Sequence, residues 1–195
     1  HMDGSQQLAD SGKSSRPFSP PQLKVAQLRV VYVFAGHRRR ADVREHLESL
    51  AEQFSFELVM HEVDLVRGSD QDVLQEEYWE SLIQQIRELR PFCIIATPPC
   101  STFSRARHLY KRHPGPRPIR SRQFPEGFPW LTDAKREQAQ QGTKLAKRAW
   151  ELSELADEIG STFLSEFPED LGLTDTGVPA SLWQMPEFTQ ALMRK

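Results

Sequence analysis

The chain has 195 residues, 38% of them hydrophobic, and a formal net charge of -2, which suits one ordinary globular domain with tails. No apolar run approaches the roughly 18 residues of a membrane span, and no charged-then-apolar signal segment opens the chain, so the expectation is an intracellular protein with no membrane partner. Two cysteines, Cys93 and Cys100, are too few and too differently placed for a disulfide framework or a zinc ribbon, which leaves free thiol chemistry.

Residues 1–27 read as a tag and disordered leader: His1 to Ser5 looks like an expression tag, and the stretch up to about Pro21 has too little apolar matter to pack. The folded domain is expected over residues 28–195. Leu28 to Phe34 is a β-branched and aromatic run that stops at Ala35-Gly36. Arg40 to Phe54 then carries Val43, Leu47, Leu50, Ala51 and Phe54 at helical spacing. Phe56 to Asp64 is a second strand with a carboxylate at its far end. From Gln71 to Leu89 the apolar positions again fall at helical intervals, and Arg90-Pro91 ends that helix. Phe92 to Ala96 is a short apolar strand stopped by Pro98 and Pro99, which cannot donate to a sheet ladder. Two strand-helix units feeding a third strand imply right-handed crossovers and a parallel sheet.

Cys100 therefore sits just past the carboxyl end of the third strand, the edge where open α/β sheets bind ligands. The prolines before it fix φ and stiffen the loop, whereas Cys93, inside the strand, reads as core. Ser101 to Leu131 is a long loop, and loops of that length in a compact domain are usually functional or disordered. Between Ser101 and Pro125 stand seven Lys or Arg and no acid, interleaved with Phe103, Tyr110 and Phe124; Arg44 to Glu88 holds twelve acidic and three basic residues. One side repels phosphate and the other attracts it. The candidate nucleic-acid contacts are Arg105, Arg107, Lys111, Arg112, Arg117 and Arg120, with Arg38 and Arg39 after the first strand. His108 and His113 have no carboxylate or thiol cluster beside them, so no metal site is expected.

Asp133 to Ile159 is mostly good helix former, with Thr132 and Asp133 able to cap its start. Thr162 to Glu166 is a last short strand, and the tail around Pro179 to Pro186 reads as irregular chain followed by a short helix. Trp79, Trp130, Trp150 and Trp183 are assigned to packing.

Phe34-Ala-Gly36, Asp64 after the second strand, Thr97-Pro-Pro-Cys100 and Glu166 two residues before Pro168 together resemble, in this order, the motifs of DNA cytosine-5 methyltransferases. The similarity is greatest to compact, divergent members carrying Pro-Pro-Cys-Ser-Thr-Phe-Ser-Arg-Ala-Arg, and it spans about Leu28 to Trp183. The resemblance implies a Rossmann-like S-adenosylmethionine-dependent methyltransferase fold, a mostly parallel sheet with helices on both faces and strands in spatial order 2-1-3-4. It also implies methyl transfer to C5 of cytosine in DNA, and a nuclear location if the source is eukaryotic.

On that resemblance Cys100 would be the nucleophile that attacks C6 of cytosine, its thiolate favoured by the nearby Arg105 and Arg107. Glu166 would be the carboxyl group donating to N3, given a pKa raised by burial. S-adenosylmethionine would lie against Phe34, Gly36, Asp64, Asp72, Pro98 and Leu145, the last within a Gly142-Thr-Lys-Leu145 segment similar to the family's Gly-Asn-x-Leu. A paired base would have to be flipped out. The chain departs from the family where Gly36 is followed by His37-Arg-Arg-Arg40 instead of a second glycine, and where the family's Glu-Asn-Val reads Glu166-Phe-Pro168. The Gln-Arg-Arg motif and target recognition domain have no counterpart, which leaves a fragment or a minimal member, with Arg117 or Arg120 as stand-ins for the base-reading arginine. The alternative is a catalytically inactive module of the same fold that binds nucleic acid through the basic loop. Gly36 and Asp64 also suit any nucleotide-binding α/β domain.

Overall fold

β1 (Gln27–Val33), β2 (Glu57–Val63), β3 (Cys93–Ala96) and β4 (Thr162–Ser165) form one sheet, all pairings parallel, in spatial order β2-β1-β3-β4. The structure, a computed structural model, describes residues 26–109 and 115–192. The first half of the chain supplies the β1-α1-β2-α2-β3 run that the apolar spacing predicts, with α1 at Val43–Gln53 and α2 at Glu76–Leu89. The chain crosses from β2 over β1 to β3, so β1 and β3 flank the point where the strand order reverses.

Alternation along the strands gives the sheet two apolar faces. On one, Val31, Val33, Val63, Ile94 and Ala96 meet Trp79, Leu82 and Ile86 of α2 and Leu152, Leu155 and Ala156 of α3 (Asp133–Ile159). Each fully buried Ile or Leu here contributes about 1.5–3 kcal/mol, so this face carries most of the cohesion. A buried arginine spans the α2–α3 seam: the Arg148 guanidinium lies 4.6 Å above the Trp79 ring and bonds Glu76 and Glu151. On the other face, Val30, Tyr32, Cys93 and Ile95 pack with Leu47 of α1. The rest of the α1 stripe differs from expectation. Only Ala51 is buried, and Val43, Leu50 and Phe54 are 37%, 48% and 64% exposed, too open for a core face.

The helices begin later than their apolar spacing suggests because short acids cap turns ahead of them. Asp42 Oδ1 accepts the Glu45 N–H, which starts α1 at Val43 and not Arg40. Asp72 accepts the Leu74 N–H in an Asx-turn, and α2 starts only at Glu76. Thr132 occupies the cap position of α3, but its side chain makes no capping bond. β1 opens at Gln27, one residue inside the stretch assigned to the leader; residues 1–25 of that leader lie outside the described residues. After β4 the tail forms a 3-10 turn at Leu182–Gln184 and α4 (Pro186–Leu192). Its Leu182, Met185 and Phe188 close a second cluster with Phe103, Ala146 and Phe167. No helix among the described residues is long and apolar enough to cross a membrane.

Candidate functional site

Because the strands are parallel and in register, Val33 pairs with Val63 and Ala96, and Ala96 with Ser165, so the four strands end level. The residues that follow them form one lip in the order Asp64, Phe34, Thr97, Glu166. Backbone bonds continue past the strand ends: Phe34 N–H to Val63 O at 2.9 Å, Thr97 N–H to Val33 O and Glu166 N–H to Ala96 O, each at 3.3 Å. At about 4.8 Å per strand the lip is on the order of 14 Å wide.

At β1 the lip is strained. Phe34 has φ 64 and Gly36 φ 65, both left-handed, and for a bulky residue such as Phe34 this costs on the order of 1–3 kcal/mol. Its ring is buried in the main core, and its carbonyl accepts from Thr97 Oγ1 at 2.9 Å. With that hydroxyl proton committed, the Tyr32 hydroxyl donates to Thr97 Oγ1 at 3.2 Å. This Tyr32-Thr97-Phe34 relay latches the β1 turn to the exit of β3. A Cβ at Gly36 would meet nothing within 4 Å, so the glycine is there for its φ and the space before it is open. Asp64 Oδ2 accepts the Gly36 N–H at 2.9 Å and Oδ1 accepts the Val66 N–H at 3.0 Å, which leaves each oxygen a further lone pair.

The other expected cofactor contacts are placed less directly. Asp72 caps its own turn, Pro98 is buried, and Leu145 packs half-buried on the main core. The close helix-loop approach falls at Gly142 instead: a Cβ there would collide with Thr102 Oγ1 and stand 3.2 Å from Arg120 Nη2.

Cys100 is free and half-buried, and it packs on the cluster of Phe103, Ala146 and Phe167; Phe103 and Phe167 meet edge to face at 5.3 Å. Cys93 is buried in β3, and burial raises its thiol pKa. Glu166 leaves β4 beside Ala96 with its side chain exposed, so the burial expected of a proton-donating carboxyl is absent.

Two of the arginines expected to face nucleic acid turn inward. Arg120 is 1% exposed, with its guanidinium 3.9 Å from the Phe103 ring and bonded to Pro125 O at 2.7 Å, Ala139 O at 2.6 Å and Thr143 Oγ1 at 3.1 Å. Burial, with Arg107 nearby, pushes its pKa down to about 10, against the pull of Glu126. It is therefore closed to a base or phosphate. Arg107 is also buried; it bonds Ser101 O at 2.6 Å and Arg117 O at 3.2 Å, and burial lowers its pKa. Arg105 donates to Gly172 O and Leu173 O. The segment has almost no regular secondary structure to satisfy its carbonyls, and guanidinium forks do so instead. After β1, Arg38 pairs with Asp42 at 3.1 Å and with Glu62 at 3.5 Å; the low-exposure Glu62 carboxylate also binds Arg44 and Arg67. Arg39 and Arg117 are exposed. Lys111 and Arg112 lie outside the described residues.

Sequence reasoning missed Thr97, His108 and Trp130. Trp130, assigned to packing, is 69% exposed; the spacing Phe124, Phe128, Trp130 between prolines was the signal for a surface aromatic patch. Among the described residues no group of His, Cys, Asp and Glu is arranged to hold a metal. The class of protein defined by this fold and lip is a parallel α/β domain with a free cysteine just past the carboxyl end of its third strand. Comparison goes no further: no family model matches the chain, and neither the curated proteins nor the solved structures searched contain a significant match.

Proposed function

We propose that this chain is an S-adenosylmethionine-dependent methyltransferase domain acting on C5 of cytosine in DNA. The observation that supports it is the level lip, on which the turn after β1, Asp64, the Cys100 loop and Glu166 stand side by side. The residues present fit the cofactor. Gly36 borders open space, His37 to Arg40 are exposed and leave the turn clear, and the Asp64 oxygens retain lone pairs for ribose hydroxyls. The cofactor supplies an electrophilic methyl group. The chain supplies the rest: the Cys100 thiolate forms a bond to C6 while the Glu166 carboxyl gives its proton to N3, which leaves C5 nucleophilic. After methylation C5 loses its hydrogen as a proton to water, the C6–S bond breaks to restore the thiolate, and N3 returns its proton to the Glu166 carboxylate. A base seated on the lip would cover Glu166 and provide the desolvation its exposed position lacks.

The test is covalent capture. With S-adenosylmethionine and an oligonucleotide carrying 5-fluorocytosine, elimination is blocked, so intact mass should show a protein-DNA adduct that Cys100→Ala abolishes. Absence of adduct from the unsubstituted protein across varied sequence contexts would remove the reading.

The exposed Glu166 favours a second reading, a catalytically silent module of the same fold that binds nucleic acid. Calorimetry separates the two. The enzyme should give heat with S-adenosylmethionine, whereas the silent module gives none and binds oligonucleotide with an affinity that falls as salt rises.

A further inference from the structure

The loop after β3 and the segment before the Leu182 turn enclose a hollow of about 640 Å³, walled by Phe124, Phe128 and Trp130, with His108, Arg117 and Arg122 beside them. Neither Cys100 nor Glu166 is among the described residues that line it. The walls are built to hold their shape. Ser121 and Phe124 form a tight antiparallel bridge, and the Phe128 N–H donates to Ile119 O at 3.0 Å. Arg122 N–H donates to Val178 O at 3.0 Å, and Arg120 holds Pro125 O from below. Gly127 has φ 129, and a Cβ there would press on Ala139.

This frame holds a large ring flat against solvent. Trp130 stacks on Phe128 with ring centroids 5.0 Å apart and planes 7° from parallel, and Phe124 braces both rings edge-on. At 69% exposure, with one face on Phe128, the indole leaves its other face open. Such a surface is costly to leave wet and is suited to receive a second flat ring. His108 lies in the wall of the hollow at 4% exposure, its Nδ1 buried with no hydrogen-bond partner. Burial lowers the imidazole pKa, which favours a neutral ring behind the aromatic wall.

Charge selects among ring ligands. Three aromatic rings can cage a quaternary ammonium group, but the described lining holds two arginines and no carboxylate. That disfavours a cation and favours a ring attached to an anion. Arg122, though bonded to Gln184 and 3.6 Å from Asp170, is still 57% exposed at its side chain.

We propose that this hollow takes one nucleotide of a single-stranded nucleic acid, its base stacked on Trp130 and its phosphate beside Arg117 and Arg122. The site does not depend on methyl transfer.

The experiment uses the Cys100→Ala full chain, so that failure of catalysis leaves it untouched. Fluorescence anisotropy with labelled single-stranded oligothymidylate or oligoadenylate should show binding, and a duplex of equal length should bind more weakly. Trp130→Ala should lose about 5- to 150-fold in affinity, the worth of one stacked base, and Trp130→Phe should recover most of it. Arg122→Ala should reduce the salt slope by about 0.7. Trp130 is exposed, so both variants should keep the native circular dichroism spectrum. Equal affinity of Trp130→Ala and its parent for single strands would overturn the proposal, as would a preference for duplex. Saturation by a mononucleotide with no binding of oligonucleotide would overturn the assignment to a strand.

Discussion

The Asp64 carboxylate at the end of β2 accepts the backbone N–H of Gly36 at 2.9 Å, so one strand end holds the neighbouring turn closed. Asp64→Ala removes the acceptor from both Gly36 and Val66 and should cost about 1–3 kcal/mol, read as a lower urea midpoint with unchanged slope. Asp64→Asn, whose amide oxygen serves one N–H and whose amide nitrogen faces the other, should fall between. An unaltered midpoint in the alanine variant would show that the turn does not need the carboxylate.

Gly142 should reverse the usual rule for glycine in a helix. An exposed helical Gly→Ala change stabilises by about 0.5–1 kcal/mol, but here the added methyl meets Thr102 and Arg120 in a closed space. Gly142→Ala should destabilise by about 1–3 kcal/mol. The companion change Thr102→Val should do the opposite, because the Thr102 hydroxyl is buried without a partner and a methyl of similar shape removes that cost. Thermal melts of the two variants should shift in opposite directions.

Helix α1 ends in a Schellman motif with the wrong residue for it. Phe56 N–H bonds Ala51 O and Ser55 N–H bonds Glu52 O, and Ser55 sits at φ 57. Ser55→Gly should add about 1 kcal/mol by relieving the left-handed backbone. A melt that does not rise would place the strain elsewhere.

Stability should fall as the protein is acidified through the histidine range. Burial lowers the His108 pKa, with the Arg105 charge in the same direction and a bond to the Arg120 backbone opposing. The folded-state value therefore lies below the ordinary 6.5, and the native state is favoured in full above that pH and loses the advantage as pH drops through the folded-state value. The slope cannot exceed about 1.4 kcal/mol per pH unit for one group. His108→Gln should flatten the dependence between about pH 7 and pH 5 in urea titrations; an equal slope in both proteins would assign it to other groups.

Hydrophobic periodicity carried the strand-helix alternation, and with it the parallel sheet, and the core of α2 and α3, since those helices bury their stripes against β1 and β3; the strand order came with the resemblance. It overstated α1, where Leu50 and Phe54 have the spacing of a core face and are too open for one. The strand-end positions of Asp64, Cys100 and Glu166 were legible from where each apolar run stops. The state of those groups was not: the exposure of Glu166 and the clamp on Asp64 depend on contacts between segments far apart in the chain. Arg107 and Arg120 were misread for a definite reason. A run of cations without acids reads as a surface for phosphate, but carbonyls left unpaired by irregular backbone attract the same residues, and Arg107 and Arg120 answer that local demand.

Thr97 belongs to the loop that carries Cys100, and its hydroxyl joins Tyr32 and the Phe34 carbonyl. The two turns at the end of the sheet are thus mechanically one piece: tugging on the segment that bears the sulfur pulls on the bend after β1.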